Sequence, residues 1–315
     1  MLQNKDFSAS KTSQYVKQSI LIDTDIGDDI DDALALALAL RSPEIELLGV
    51  TTVFGATQRR AQLAAHLLSI AGREDVPIAP GVAQPLQLRH RPSGVPQAAI
   101  LDERAVFPAI SQIAAPEFII QTAQAHFGRV TLVCIGPLTN VAVALTAEPG
   151  LFMALQRIIM MGGSSSIPLP EWNIRSDVRA AQIVLGSGVP ITLIGLNVTR
   201  RCQLRASDIA QLRNSEEPLP HLLSRLIAVW QRHRPRGQPA LPYLHDPLAL
   251  AALCRPELFT FAEMPVRAIT RGPFEGFMVP RMMKGPWVNA AVDIRAEEAR
   301  SWIMERLLSN PSGAR

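Results

Sequence analysis

The sequence predicts an α/β fold in which helices cover both faces of a mostly parallel central sheet. Apolar runs that read as buried strands alternate with helical patterns over roughly 180 residues, from Ser19 to Gly195. That alternation implies parallel strands joined by helical crossovers. The distinctive residues sit where strand-like runs end, the edge at which such sheets bind ligands.

Residues 1–18 read as a flexible tail and 19–310 as a single domain, because no low-complexity linker interrupts the rest. SILID at 19–23 is the first strand, ended by acids and Gly27. Residues 33–40 alternate Ala and Leu, which superficially suggests a strand. Both are strong helix formers, however, and preceding acids with Pro43 beyond frame a helix. ELLGVTTVF reads as the second strand, 58–71 as a helix closed by Gly72, and 76–81 as a short strand. Residues 84–111 are rich in Pro, Arg and polar types with little periodicity, a long excursion suited to a lid. Helices follow at 116–127, 139–145 and 177–186, interleaved with strands at 130–136, 157–163 and 190–195 and a loop at 164–173. The last third reads as helices at 206–211, 219–233, 245–254 and 296–308, with strands near 263–269 and 288–293.

Aromatic residues are only 5% of the chain, so Ala, Leu, Ile and Val must build the core. A net charge of +3 is spread out except for RHRPR at 232–236, too small a cluster for a nucleic-acid face. Cys134, Cys202 and Cys254 lie far apart and form no disulfide framework, which suits a reducing compartment. The first eighteen residues lack the apolar segment of a signal, and the run 33–40 is far short of the ~20 residues of a membrane span. The expectation is a cytoplasmic protein with neither nucleic acid nor membrane as partner.

Asp23, Asp25, Asp28, Asp29, Asp31 and Asp32 place six carboxylates within ten residues, where a buried strand meets a helix. A helix amino terminus supplies only a partial positive charge, usually worth under ~1 kcal/mol at a surface. A bound cation is the natural compensation, and oxygen-rich sites suit calcium or magnesium. The alternatives are a solvated acidic cap or a Mg²⁺-dependent haloacid-dehalogenase-like phosphatase with Asp23-Thr24-Asp25 as its motif and Asp23 as nucleophile. DDIDDALALAL continues that motif poorly.

DTDIGDDIDDALAL is similar to the opening motif of the inosine-uridine preferring nucleoside hydrolase family, of the form DxDPGxDDAxAL. GVTTVFG, GPLTNVAVAL, IIMMGG, EWNIRSDVRAA and LHDPLALAA follow in the family's order. The resemblance implies a nucleoside-hydrolase-like, Rossmann-related fold, a nucleoside substrate, a bound Ca²⁺ and a homodimer or homotetramer. It also implies cleavage of an N-glycosidic bond through an oxocarbenium-like transition state. By resemblance, Asp25 is a metal ligand and general base, while Asp32, Asp246 and a backbone carbonyl of Thr139 complete the metal site. Glu171, Trp172 and Asn173 resemble a ribose-binding block, and His245 resembles a leaving-group acid. One residue normally separates the Gly from the Asp pair, whereas three stand here, so Asp29, Asp31 and Asp32 share ligand and ribose roles without assignment.

Around the base the chain departs from the family. Ala56 follows the second-strand Gly where Asn or Asp is usual, SSSIPLP replaces a Gly-Asn approach to the Glu block, and RHRPSGVPQAA replaces a His-Gly-rich segment. These departures keep a second possibility open, a calcium-stabilised riboside-binding protein without turnover.

Overall fold

The computed structural model describes residues 17–87, 94–166, 169–234, 237, 239–280 and 285–309. The expected tail lies outside these residues except for its last two, as do parts of RHRPR, of SSSIPLP and of the 84–111 excursion.

Among the described residues nine strands form the sheet: β1 (Gln18–Thr24), β2 (Ile45–Thr52), β3 (Ile78–Pro80), β4 (Val130–Cys134), β5 (Leu155–Met161), β6 (Ile191–Ile194), β7 (Phe259–Ala268), β8 (Met278–Pro280) and β9 (Trp287–Ile294). Their spatial order is β3-β2-β1-β4-β5-β6-β9-β7-β8. Every pairing from β3 through β6 to β9 is parallel, and only β7 with β9 and β8 with β7 are antiparallel. The expected mostly parallel sheet is therefore observed, with an antiparallel edge.

Side-chain alternation explains why helices cover both faces. Ile20, Ile22, Val133, Ile135, Ile159 and Met161 join one buried cluster, and Leu21, Leu132, Cys134, Ile158 and Met160 join another. Successive residues of a strand point to opposite faces, so a nearly continuous apolar run requires a cover on each side. The helices Asp31–Leu40, Thr57–Ile70, Pro218–His233, His245–Cys254 and Ala296–Leu308 supply the first cover. Ala115–Ala125, Thr139–Ala147 and Val178–Leu185 supply the second.

β1 pairs with β2 on one side and β4 on the other. The chain therefore leaves β1 in one direction and returns to its opposite edge, opening a crevice at the carboxyl ends of β1 and β4. Several short features differ from the sequence reading, among them the helical turns Leu151–Ala154 and Leu196–Thr199. β8 has only three residues, too few for a periodic signal, and a helical turn, Trp172–Ser176, begins inside the expected 164–173 loop. No described helix is long and apolar enough to cross a membrane.

Candidate active site

A cavity of about 250 Å³ opens at that crevice. The loop after β1, the Glu171 turn and the start of helix His245–Cys254 line it, together with Ile135, Met161 and Leu196 at the ends of β4, β5 and β6.

Asp31 and Asp32 occupy the first turn of Asp31–Leu40, which packs along helix His245–Cys254. That packing brings Asp246 beside them although it lies more than two hundred residues later, and the Asp246 N–H donates to Asp31 Oδ2 at 3.4 Å. One carboxylate oxygen from each of Asp31, Asp32 and Asp246 lies within 4.8 Å of the others, and all three residues are buried. Burial pushes their pKa values well above the carboxylate range, and repulsion among them and from Asp25 adds to it. Like charges gathered out of water need either protons or a cation. The all-oxygen donor set fits a hard divalent ion.

Asp25 lines the same cavity and is 5% exposed. Burial raises its pKa to about 7, against the lowering effect of Arg60 and with additions from Asp28 and Glu171. Asp23 is different. It is fully buried and does not line the cavity. Its Oδ1 accepts from Thr51 Oγ1 at 2.6 Å and Asn140 Nδ2 at 2.7 Å.

Glu171 caps the helical turn Trp172–Ser176. Its Oε1 accepts from the Asn173 N–H at 2.8 Å, and its Oε2 from the N–H groups of Ile174 and Gly163, both at 3.0 Å. Asn173 is held by its own amide, whose Nδ2 donates to the carbonyls of Ile135 (3.0 Å) and Met161 (3.2 Å) at the ends of β4 and β5. Trp172 is 45% exposed, and its ring meets Phe54 edge-on at 6.2 Å.

His245 is partly buried at the cavity's side, with Nδ1 2.7 Å from Thr199 Oγ1 and the Tyr243 ring centroid 5.3 Å away. Burial, then the Arg200 charge, lower its pKa to about 4.

Residues 20–301 match the inosine-uridine preferring nucleoside hydrolase family. The chain belongs to that family. It is 34% identical to uridine nucleosidase 1 of Arabidopsis thaliana over 273 residues, covering 81% of this chain and 79% of the relative. A plant nucleoside hydrolase of known structure superposes with a TM-score of 0.82 at 29% identity, over 93% of this chain and 99% of that one. The purine-preferring ribonucleoside hydrolase from Gardnerella vaginalis gives 0.82 at 25% identity, over 92% and 98%. The protein is thus an N-ribosyl hydrolase, an enzyme of the class that cleaves ribonucleosides. The phosphatase reading fails with it, and the enclosed Asp23 has no access from which to act as a nucleophile.

In this nucleoside hydrolase the cavity gathers Asp25, Asp29, Asp31, Asp32, Glu171, Trp172, Asn173, His245 and Asp246. Thr139 is not among them, a correction to the sequence expectation. Its hydroxyl donates to Asp177 Oδ2 at 2.8 Å, and its backbone opens helix Thr139–Ala147. Ile135, at the end of β4, reaches the cavity instead. Glu171 lines it, but three backbone N–H groups occupy most of its carboxylate's accepting capacity. Ser165, in the SSSIPLP stretch that replaces the Gly-Asn approach, donates to the Ala291 carbonyl at 2.9 Å.

Two residues that the motifs did not single out shape the loop after β1. Arg60 is a fully buried guanidinium whose Nη2 meets Asp28 Oδ2 at 2.9 Å. Gln97, from the turn Pro96–Ile100, donates through Nε2 to the carbonyls of Asp29 (2.6 Å) and Asp28 (3.2 Å). The middle of the expected lid is thereby tied to the acidic loop.

Proposed function

We propose that this enzyme hydrolyses ribonucleosides with Ca²⁺ held by Asp31, Asp32 and Asp246 beside Asp25. The convergence of those three buried carboxylates at the cavity floor carries the proposal. Calcium bound there would supply Lewis acidity toward water and toward the two ribose hydroxyls.

The chain's own groups then divide the work. Asp25 takes the proton of the attacking water as the new C1′–O bond forms and the C1′–N bond breaks. Asn173, with both Nδ2 hydrogens engaged by the Ile135 and Met161 carbonyls, offers Oδ1 as the acceptor for a sugar hydroxyl. Asp29, outside the carboxylate trio, is a second ribose contact. Glu171 fixes the turn that presents Asn173 and Trp172, whose half-exposed ring forms a wall of the cavity. His245 assists the departing base. Its Nδ1 lies 2.7 Å from the Thr199 hydroxyl, and in the tautomer where that hydroxyl donates, the neutral ring carries its proton on Nε2 and donates a hydrogen bond there.

The substrate class is a nucleoside, with uridine the first to examine because a uridine nucleosidase is a 34% identical relative. Residues 19–310 act as one catalytic domain in a cytoplasmic homodimer or homotetramer, without nucleic-acid or membrane partners. Asp25→Asn should lower ribose release from uridine by orders of magnitude. A loss of less than about tenfold would remove Asp25 from the role of base.

A further inference from the structure

We propose that Arg60 is a positioning residue for Asp25, a built-in cation that holds the extended acidic loop in its working shape. The proposal rests on reading Asp25 as the base. Arg60 sits in the first turns of helix Thr57–Ile70, behind the cavity rather than in its wall.

The geometry is that of a clamp. Nε donates to the Phe54 carbonyl at 2.7 Å, Nη1 to the carbonyls of Asp25 and, at 2.9 Å, Ile26, and Nη2 to Asp28 Oδ2 at 2.9 Å. These acceptors lie just past the point where β1 and β2 stop pairing. The Val53 N–H still donates to the Thr24 carbonyl at 3.0 Å, and beyond it the two strands have no ladder partners for one another. The guanidinium takes the place of the missing ladder.

Both strand ends are also conformationally demanding. Phe54 is the one described non-glycine residue with positive φ, at 68°, and Gly27 follows Ile26 with φ 117°. A side chain in the left-handed region persists only where its surroundings hold it. Arg60 grips the Phe54 carbonyl on one side and those of Asp25 and Ile26 on the other. The Phe54 ring in turn meets Trp172, so one fork fixes both the base and a cavity wall.

Charge points the same way. Arg60 is the only fully buried cation among the described residues, and it pairs with Asp28, one of the residues in the lengthened Gly27-to-Asp31 stretch. The longer loop thus carries an additional acid together with its own counter-charge. Gln97 holds the far side of the same loop through the carbonyls of Gly27, Asp28 and Asp29.

The test uses the full chain with Arg60→Lys, which keeps the charge and loses the planar fork, and Arg60→Gln, which keeps one donor amide. Thermal unfolding first establishes that each variant is folded. Steady-state hydrolysis of uridine then separates kcat from KM, and calorimetry of chelator-treated protein measures calcium affinity. A misplaced base costs up to ~10²-fold in rate. A folded Arg60→Lys should therefore lose about 10–100-fold in kcat with KM changed less than about threefold, and its calcium affinity should weaken. A folded variant with kcat and calcium affinity within twofold of the parent overturns the proposal. So does a kcat that falls only in step with the folded fraction, or failure of both variants to fold. Asp25→Asn runs alongside: if it retains turnover, the reading of the base fails. If it is inactive while Arg60→Lys is normal, only the role of Arg60 fails.

Discussion

Asp23→Asn tests how the strand end beneath the site tolerates a buried charge. Asp23 Oδ1 accepts two hydrogen bonds, while its buried Oδ2 has no partner among the described residues. Burial raises its pKa from the usual 3.8 to about 7, with the Thr51 and Asn140 bonds opposing the rise. In acid the carboxyl is neutral in both folded and unfolded chains, and the difference vanishes. Between about pH 4 and pH 7 the folded state keeps a proton that the unfolded chain has released, so this group's contribution falls as pH rises. The interval from 3.8 to about 7 corresponds to about 4 kcal/mol at 1.36 kcal/mol per pH unit. Asn keeps the acceptor for Thr51 and Asn140 but places an NH₂ where Oδ2 is unpartnered, costing about 1–3 kcal/mol. Asp23→Asn should therefore destabilise the chain at acid pH and stabilise it by about 1–3 kcal/mol near pH 8. Thermal unfolding of parent and variant side by side, both chelator-treated, should show their Tm difference changing sign, with a swing of roughly 5–10 °C. A difference that stays flat with pH would refute the buried-charge argument.

Two further outcomes concern the substrate. Asn173→Ala should lower kcat/KM for uridine by about 10–100-fold and narrow its preference over 2′-deoxyuridine, since the hydroxyl reader is gone. Unchanged discrimination between the two sugars would remove Asn173 from the ribose grip. His245→Ala should slow uridine by about 10²–10⁴-fold yet leave a nitrophenyl riboside nearly normal, because that leaving group departs without help. Equal losses on both would make His245 a structural residue.

The sequence made some parts of this molecule easy to read for physical reasons. β1, β4 and β5 are buried on both faces, so their apolar runs are nearly unbroken. Asp25, Asp31 and Asp32 stand out because few segments concentrate so much like charge. Ile135 carries no signal, because it lines the cavity and accepts from Asn173 through its backbone carbonyl, which any residue type has. Glu171 reads as part of a ribose-binding block, and a capping carboxylate and a sugar-binding carboxylate look alike in sequence until their partners are known. Arg60 did leave a signal. Thr57, Arg60, Ala61 and Ala64 share one buried helical face, and an arginine on such a face needs internal acceptors. The antiparallel β8 left none, since three residues cannot establish a period.

If the carboxylate trio holds the ion on which hydrolysis depends, removing that ion must abolish turnover. The chain is stripped with a chelator, assayed for free ribose from uridine, and titrated with calcium while bound metal is counted. Stripped protein should release negligible ribose, and recovery should saturate at one ion per chain. The same recovery should be lost in Asp32→Asn and Asp246→Asn. Full ribose release from verified metal-free protein would contradict that dependence.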